Sequence, residues 1–207
     1  MFIAREVTDN LVEYKGDFFI GNISTNNQFD LLLLNTQLEN RKMGRTQILS
    51  EKQIQQKLNR MAWQIFEANY QESTIVIAGI NGNGFTLAER LTSIIKDISD
   101  INILLTNVKI DKKEPFNSPI ELSIEEVDYS DKVVILVDDV LNSGKTMIYG
   151  VKHFLNAPVK KINTMALIDR MHHRFPIRTD YAGLVLSTSI KDHVAVELGV
   201  NEGVYVE

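Results

Sequence analysis

The chain has no cysteine. That absence removes disulfides, thiolate zinc sites and cysteine nucleophiles, and it fits a reducing, cytoplasmic setting. No apolar run approaches the roughly 20 residues of a membrane span. The opening MFIAREVTDN carries acids where a secretory leader has a basic start and a long apolar core. Excess positive charge is missing too: 22 Lys and Arg stand against 27 Asp and Glu, for a net charge of −5. Such a chain does not coat nucleic acid through bulk charge, although a local basic patch can still grip one RNA. What is present is ordinary: 207 residues, 44% hydrophobic and 24% charged. That is enough for one α/β domain with a substantial core.

Residues 1–42 differ from the rest and read as an N-terminal extension. YKGDFFIGN suggests a short hairpin, STNNQ a loop and FDLLLLN a short strand. Met43 is a candidate initiator, an idea that peptides from before it in the native protein would exclude. From Ser50 the pattern sharpens, and 43–207 reads as the functional domain. Ser50 and Gln53 fit a capping box. Ile54, Leu58, Met61, Ile65 and Phe66 follow at helical spacing, which predicts a helix over 51–69. STIVIAGI, INILLTNVKI, KVVILVDD, KINTMALID, YAGLVLS and HVAVEL read as strands. FTLAERLTSIIKDI and KTMIYGVKHFLN read as helices. Strands apolar on both faces, alternating with helices, predict a mostly parallel twisted sheet with helices on both sides. Sites in such sheets lie beyond the carboxyl ends of the strands. Three such ends stand out, at 79–84, 137–146 and 168–178, and they are expected to converge.

The stretch VVILVDDVLNSGKTM, residues 133–147, ends like a nucleotide P-loop. A Walker A loop needs G-x-x-x-x-G-K-S/T. Counting back from Gly144, the first glycine of that pattern falls on Asp139. An acid there repels a triphosphate. Asp138 and Asp139 instead suit hydroxyls or a hard cation. The following turn and helix N-terminus, Val140, Leu141, Asn142, Ser143, Gly144, Lys145 and Thr146, suit an anion. Hydroxyls at one end and a monophosphate at the other describe a ribose 5-phosphate.

On these residues the chain resembles the type I phosphoribosyltransferases, whose phosphoribosyl-pyrophosphate (PRPP) motif joins a hydrophobic strand, two acids and a small-residue turn with Gly and Thr. The GINGNG turn stands where that family has its pyrophosphate loop. ALIDRMHHRFPIRTDYAGLVLSTS and the helix ILSEKQIQQKLNRMAWQIFEAN are similar to the pyrimidine operon regulator branch, which is also a uracil phosphoribosyltransferase. The resemblance spans about residues 45–207. It implies the type I fold, binding of PRPP with Mg²⁺, transfer of phosphoribose to a nucleobase such as uracil, and a homodimer or larger homo-oligomer. It places Asp138 and Asp139 on the ribose diol and the metal as catalytic groups, and residues 140–146 in PRPP binding. It further places Asn81, Gly82, Asn83 and Gly84 on pyrophosphate, and Asp169, Arg170, Ile177 and Arg178 beside the base. A purine phosphoribosyltransferase is an alternative on the same site.

Two departures matter. The branch carries a basic residue in its pyrophosphate loop, whereas NGNG has none; Lys112 and Lys113 are the candidates to substitute. They lie in DKKEPFNSPIELSIEEVDYSD, where the family has a mobile hood. The branch also binds RNA, and an RNA-binding regulator with little catalysis is a further alternative. Here, however, Asn59 and Trp63 replace a Thr and a His, and Leu184 replaces a Lys; Arg60 and Arg178 remain. A lone Trp on an amphipathic helix is expected to be packing material. His172 and His173, adjacent and without a third ligand at metal spacing, read as loop or anion contacts.

Overall fold

We describe the protein from a computed structural model, covering residues 45–187, 189 and 192–207. The hairpin and strand expected before residue 42 lie outside the described residues. Gln47–Glu207 forms one compact unit.

Chain order is β1 (Thr46–Ser50), α1 (Glu51–Asn69), β2 (Thr74–Ile80), α2 (Asn83–Ile98), β3 (Asn102–Lys109), β4 (Glu121–Leu122), α3 (Glu126–Tyr129), β5 (Val133–Leu141), α4 (Lys145–Phe154), β6 (Lys161–Asp169), β7 (Tyr181–Val185), β8 (Val194–Glu197) and β9 (Gly203–Val206). The main sheet runs β4-β3-β2-β5-β6-β7. The pairs β2–β3, β2–β5, β5–β6 and β6–β7 are parallel, and the two-residue β4 alone runs antiparallel, on the edge. A second sheet has the order β1-β9-β8. The expected mostly parallel sheet is therefore what forms.

Burial on both faces explains the apolar strands. Side chains alternate across a strand. Ile75, Ile77, Val133, Ile135 and Val137 join a core with Ile54, Leu58, Met61 and Ile65 of α1 and Leu87, Leu91 and Ile95 of α2. Val76, Ala78, Val134 and Leu136 face the other way, onto Met147 and Phe154 of α4 and Tyr129 of α3. The helix predicted over 51–69 has those bounds, and the Ser50 N–H donates to the Gln53 side-chain oxygen at 2.9 Å, as a capping box requires. The short elements β4, α3 and β9 carry too few residues to show a period, so the sequence gives no sign of them.

The chain passes from β2 to β3 on one side of β2, then crosses to β5 on the other. The carboxyl ends of β2 and β5 thus flank a topological switch point, where open α/β sheets leave a crevice.

Candidate functional site

Around that crevice, β5 brings the acids. It does not stop at Asp139, as the sequence suggests, but runs on to Leu141, with Val140 paired to Ile168 and Leu141 to Asp169 of β6. The two carboxylates therefore sit on a paired strand, held more firmly than on a loop. Asp138 is buried and Asp139 half-buried. Burial pushes the Asp138 carboxyl up to about 7; the charge of Asp139 adds to this and Lys112 offsets part of it. Burial acts on Asp139 in the same sense, but Lys112 and hydrogen bonds outweigh it and hold this carboxyl below its usual range. The hydrogen bonds come from the Asp138 side chain, from Asn83 at 3.0 Å and from the Val140 N–H at 3.0 Å.

Each residue of the NGNG turn has a position to hold. The Asn81 side-chain oxygen accepts from the Ile110 N–H at 3.2 Å and its N–H donates to the Val108 carbonyl at 3.0 Å, which ties the turn to the end of β3. Gly82 has φ 85° and ψ −137°, a region kept for glycine. Asn83 donates its amide both to Asp139 and to the Val196 carbonyl, at 3.0 and 2.8 Å. Gly84 allows close approach: a Cβ there would lie 2.9 Å from the Val137 carbonyl oxygen and 3.1 Å from Asp138. The sequence places these four on pyrophosphate; in the structure Asn83 and Gly84 lie against the diacid, and Asn81 ties the turn to β3.

The segment after the acids forms the expected turn into a helix. Gly144 caps α4 in the left-handed conformation, φ 81°, and the Ser143 hydroxyl oxygen accepts from the Lys145 N–H at 3.3 Å. Unpaired N–H groups and the helix dipole at such an end favour an anion. The loop after β6 backs this turn. The N–H groups of Arg174 and Phe175 donate to the Ser143 carbonyl at 2.9 and 3.2 Å, and Ile177 packs where a Gly144 Cβ would fall, 2.6 Å away. So 79–84, 137–146 and 168–178 do converge.

On the side given to the base, Asp169 and Arg170 are buried. Asp169 accepts from the Met171 N–H (2.9 Å) and the Thr179 hydroxyl (2.8 Å), and its carboxylate lies 2.8 Å from a His173 ring nitrogen. Arg170 donates to the carbonyls of Ser189 and Asp192 at 3.1 and 2.7 Å. Both side chains shape loops. Ile177 is buried and Arg178 exposed, with the Arg178 carbonyl accepting from Thr164 at 2.6 Å. A cleft of about 930 Å³ opens beside this loop, against Ile148 and Val151 of α4, and neither acid lines it.

What the sequence left unresolved is Lys112. Its Nζ lies 3.0 Å from Asp138 and 3.6 Å from Asp139. Burial acts to lower its pKa, but the two acids outweigh this and raise it. The diacid thus already holds one cation in this structure. Among the residues expected to meet RNA, Arg60 donates to the Ala182 and Gly183 carbonyls at 2.6 and 2.9 Å, so its guanidinium is committed to β7. Trp63, expected in the packing, is 49% exposed with its ring edge against Phe66.

Comparison with known proteins bears on the same region. The sequence profile of the phosphoribosyl transferase domain matches residues 44–201. The chain is 36% identical over 166 residues to the Bifunctional protein PyrR of Clostridium acetobutylicum, covering 76% of this chain and 93% of that one. Among solved structures it resembles a purine phosphoribosyltransferase from Pyrococcus horikoshii (27% identity, TM-score 0.52, 66% of this chain and 85% of that chain). The hypoxanthine phosphoribosyltransferase of Trypanosoma cruzi shares the fold (12% identity, TM-score 0.63, 78% and 95%).

Proposed function

Because the chain belongs to the phosphoribosyl transferase domain family, we propose that this site binds PRPP and transfers its phosphoribose to uracil, releasing pyrophosphate. The observation that carries the reading is the Asp138–Asp139 pair on β5, with an α-helix N-terminus on one side and the Gly82 turn on the other. Uracil is favoured by the likeness of residues 168–187 to the pyrimidine branch.

Each part of the ligand has a place. The α4 N-terminus takes the 5-phosphate, Asp138 and Asp139 take the ribose hydroxyls, and the Asn81–Gly84 turn takes the pyrophosphate end. Two carboxylates are hard oxygen donors of the kind Mg²⁺ prefers, and the pair attracts the Lys112 ammonium. Mg²⁺ would neutralise the leaving pyrophosphate. As the bond from C1 to pyrophosphate breaks, the ribose ring gains positive charge, and a carboxylate of the pair stabilises it. The base, held by the 169–178 loop, attacks C1. The ring nitrogen loses its proton as the C1–N bond forms, and the departing pyrophosphate or water accepts it; positioning supplies much of the rate.

The test is pyrophosphate release from PRPP with uracil, hypoxanthine or guanine as acceptor. We expect uracil to be used best. Preference for a purine would assign the chain to purine salvage, and no release with any base would overturn the enzyme reading. On α1, the commitment of Arg60 leads us to expect no mobility shift with a pyrimidine-leader RNA; a shift at physiological salt would restore the regulator. We also expect a cytoplasmic homo-oligomer, which sedimentation would contradict by showing a monomer.

A further inference from the structure

Pyrophosphate carries several negative charges, and the NGNG turn brings no charge to meet it. The side chains of the turn are neutral amides, and the Asn83 amide is already bonded to Asp139 and Val196. Positive charge enters this site from the hood. The Asp111 carboxylate accepts from the N–H groups of Lys113 and Glu114 at 2.8 and 3.1 Å, closing a tight turn that carries Lys112. Lys145, the first residue of α4, fastens this turn from the phosphate side. Its Nζ donates to the Lys113 carbonyl at 2.7 Å and lies 5.3 Å from the Phe116 ring centre. Lys112 is thus delivered to the site by a segment anchored at both the β3 end and the phosphate turn.

Its present position competes with loading of the site. A ribose diol and a divalent cation draw on the same two carboxylates that the Lys112 ammonium now approaches at 3.0 and 3.6 Å. Once displaced, the ammonium stays tethered beside the diacid. The charge next to it is then the pyrophosphate, joined to the same ribose.

We propose that Lys112 is the pyrophosphate-binding cation of this site, a tethered counter-ion that neutralises the diacid before ligand binds and moves to the pyrophosphate when ribose and metal displace it. This rests on the phosphoribosyl reading above. It makes an asymmetric demand on ligands. Removing Lys112 should weaken whatever carries pyrophosphate, yet should not weaken ribose 5-phosphate, which no longer has to displace an ammonium.

Calorimetry with Mg²⁺ on the full chain tests this, using PRPP, pyrophosphate and ribose 5-phosphate as probes. For Lys112→Met we expect at least a tenfold loss for PRPP and pyrophosphate, with ribose 5-phosphate binding equal or tighter. Lys112→Arg, which keeps the charge, should restore most of the loss, and Lys112→Gln replaces the Met variant if that one fails to fold. Equal PRPP affinity in the wild type and Lys112→Met would overturn the assignment. So would a parallel loss for ribose 5-phosphate, which marks a purely structural role, or an equal loss in Lys113→Met, which marks unspecific hood charge. A wild-type protein that binds ribose 5-phosphate but neither PRPP nor pyrophosphate would instead overturn the phosphoribosyl reading itself.

Discussion

Asn83 spends the two hydrogens of one amide on two acceptors, the Asp139 carboxylate and the Val196 carbonyl. A single small side chain thereby fixes the orientation of one acid and ties it to β8. Asn83→Ala should leave the carboxylate free to turn and lower PRPP affinity by about 1 kcal/mol, the net worth of one such bond; unchanged affinity in calorimetry would show that Asp139 is held by other groups. At this scale the diacid was legible, because two acids closing an apolar strand before a small-residue turn is a local pattern. Lys112 was not. It meets Asp138 only because a turn 26 residues earlier in the chain folds over the sheet edge, and no spacing rule reports that. Asp169 and Arg170 were expected beside the base; that their side chains face inward to hold loops was not legible.

The loop after β6 is an element organised around one carboxylate. Burial acts to raise Asp169, but the Met171 N–H, the Thr179 hydroxyl and His173 outweigh it and hold the group below its usual value. The sign follows: a carboxyl whose folded pKa is depressed contributes stability that is present above its unfolded pKa and lost as pH falls through the folded one. Asp169→Asn should therefore be less stable than the wild type at pH 7. The gap should narrow once pH drops below about 4, the unfolded aspartate range. Denaturant titrations at several pH values check this, and a gap that stays constant down to pH 2 would contradict it. Long elements such as α1, β2 and β5 were readable from periodicity and from runs of Ile and Val. The hood and the 171–178 loop were not, since their shape comes from Asp111, Asp169 and Ser143 accepting backbone N–H groups rather than from any repeat.

Across the whole molecule, the small β1-β9-β8 sheet is attached to the main body partly by charge. Arg90 of α2 forms a bidentate pair with Glu202, one arm at 2.9 Å, and the Glu202 side chain is 4% exposed. Arg90→Ala leaves a nearly buried carboxylate without its cation. Since Arg90 itself is partly solvated, we expect a loss of about 1–3 kcal/mol in chemical denaturation, and no change would show that water replaces the guanidinium. The three strand ends meet because β2, β5 and β6 are neighbours in one parallel sheet. That adjacency is a property of topology, which the alternation of strands and helices suggested and the strand order fixes. Among the described residues no helix is long and apolar enough to cross a membrane.

All of this depends on Asp138, Asp139 and the α4 N-terminus forming one PRPP site. The direct measurement is calorimetric titration of PRPP with Mg²⁺ into the wild type and Asp139→Asn. The account predicts clear binding by the wild type and loss of most of it in the variant, with the fold intact by circular dichroism. Equal affinity in the two proteins would contradict it.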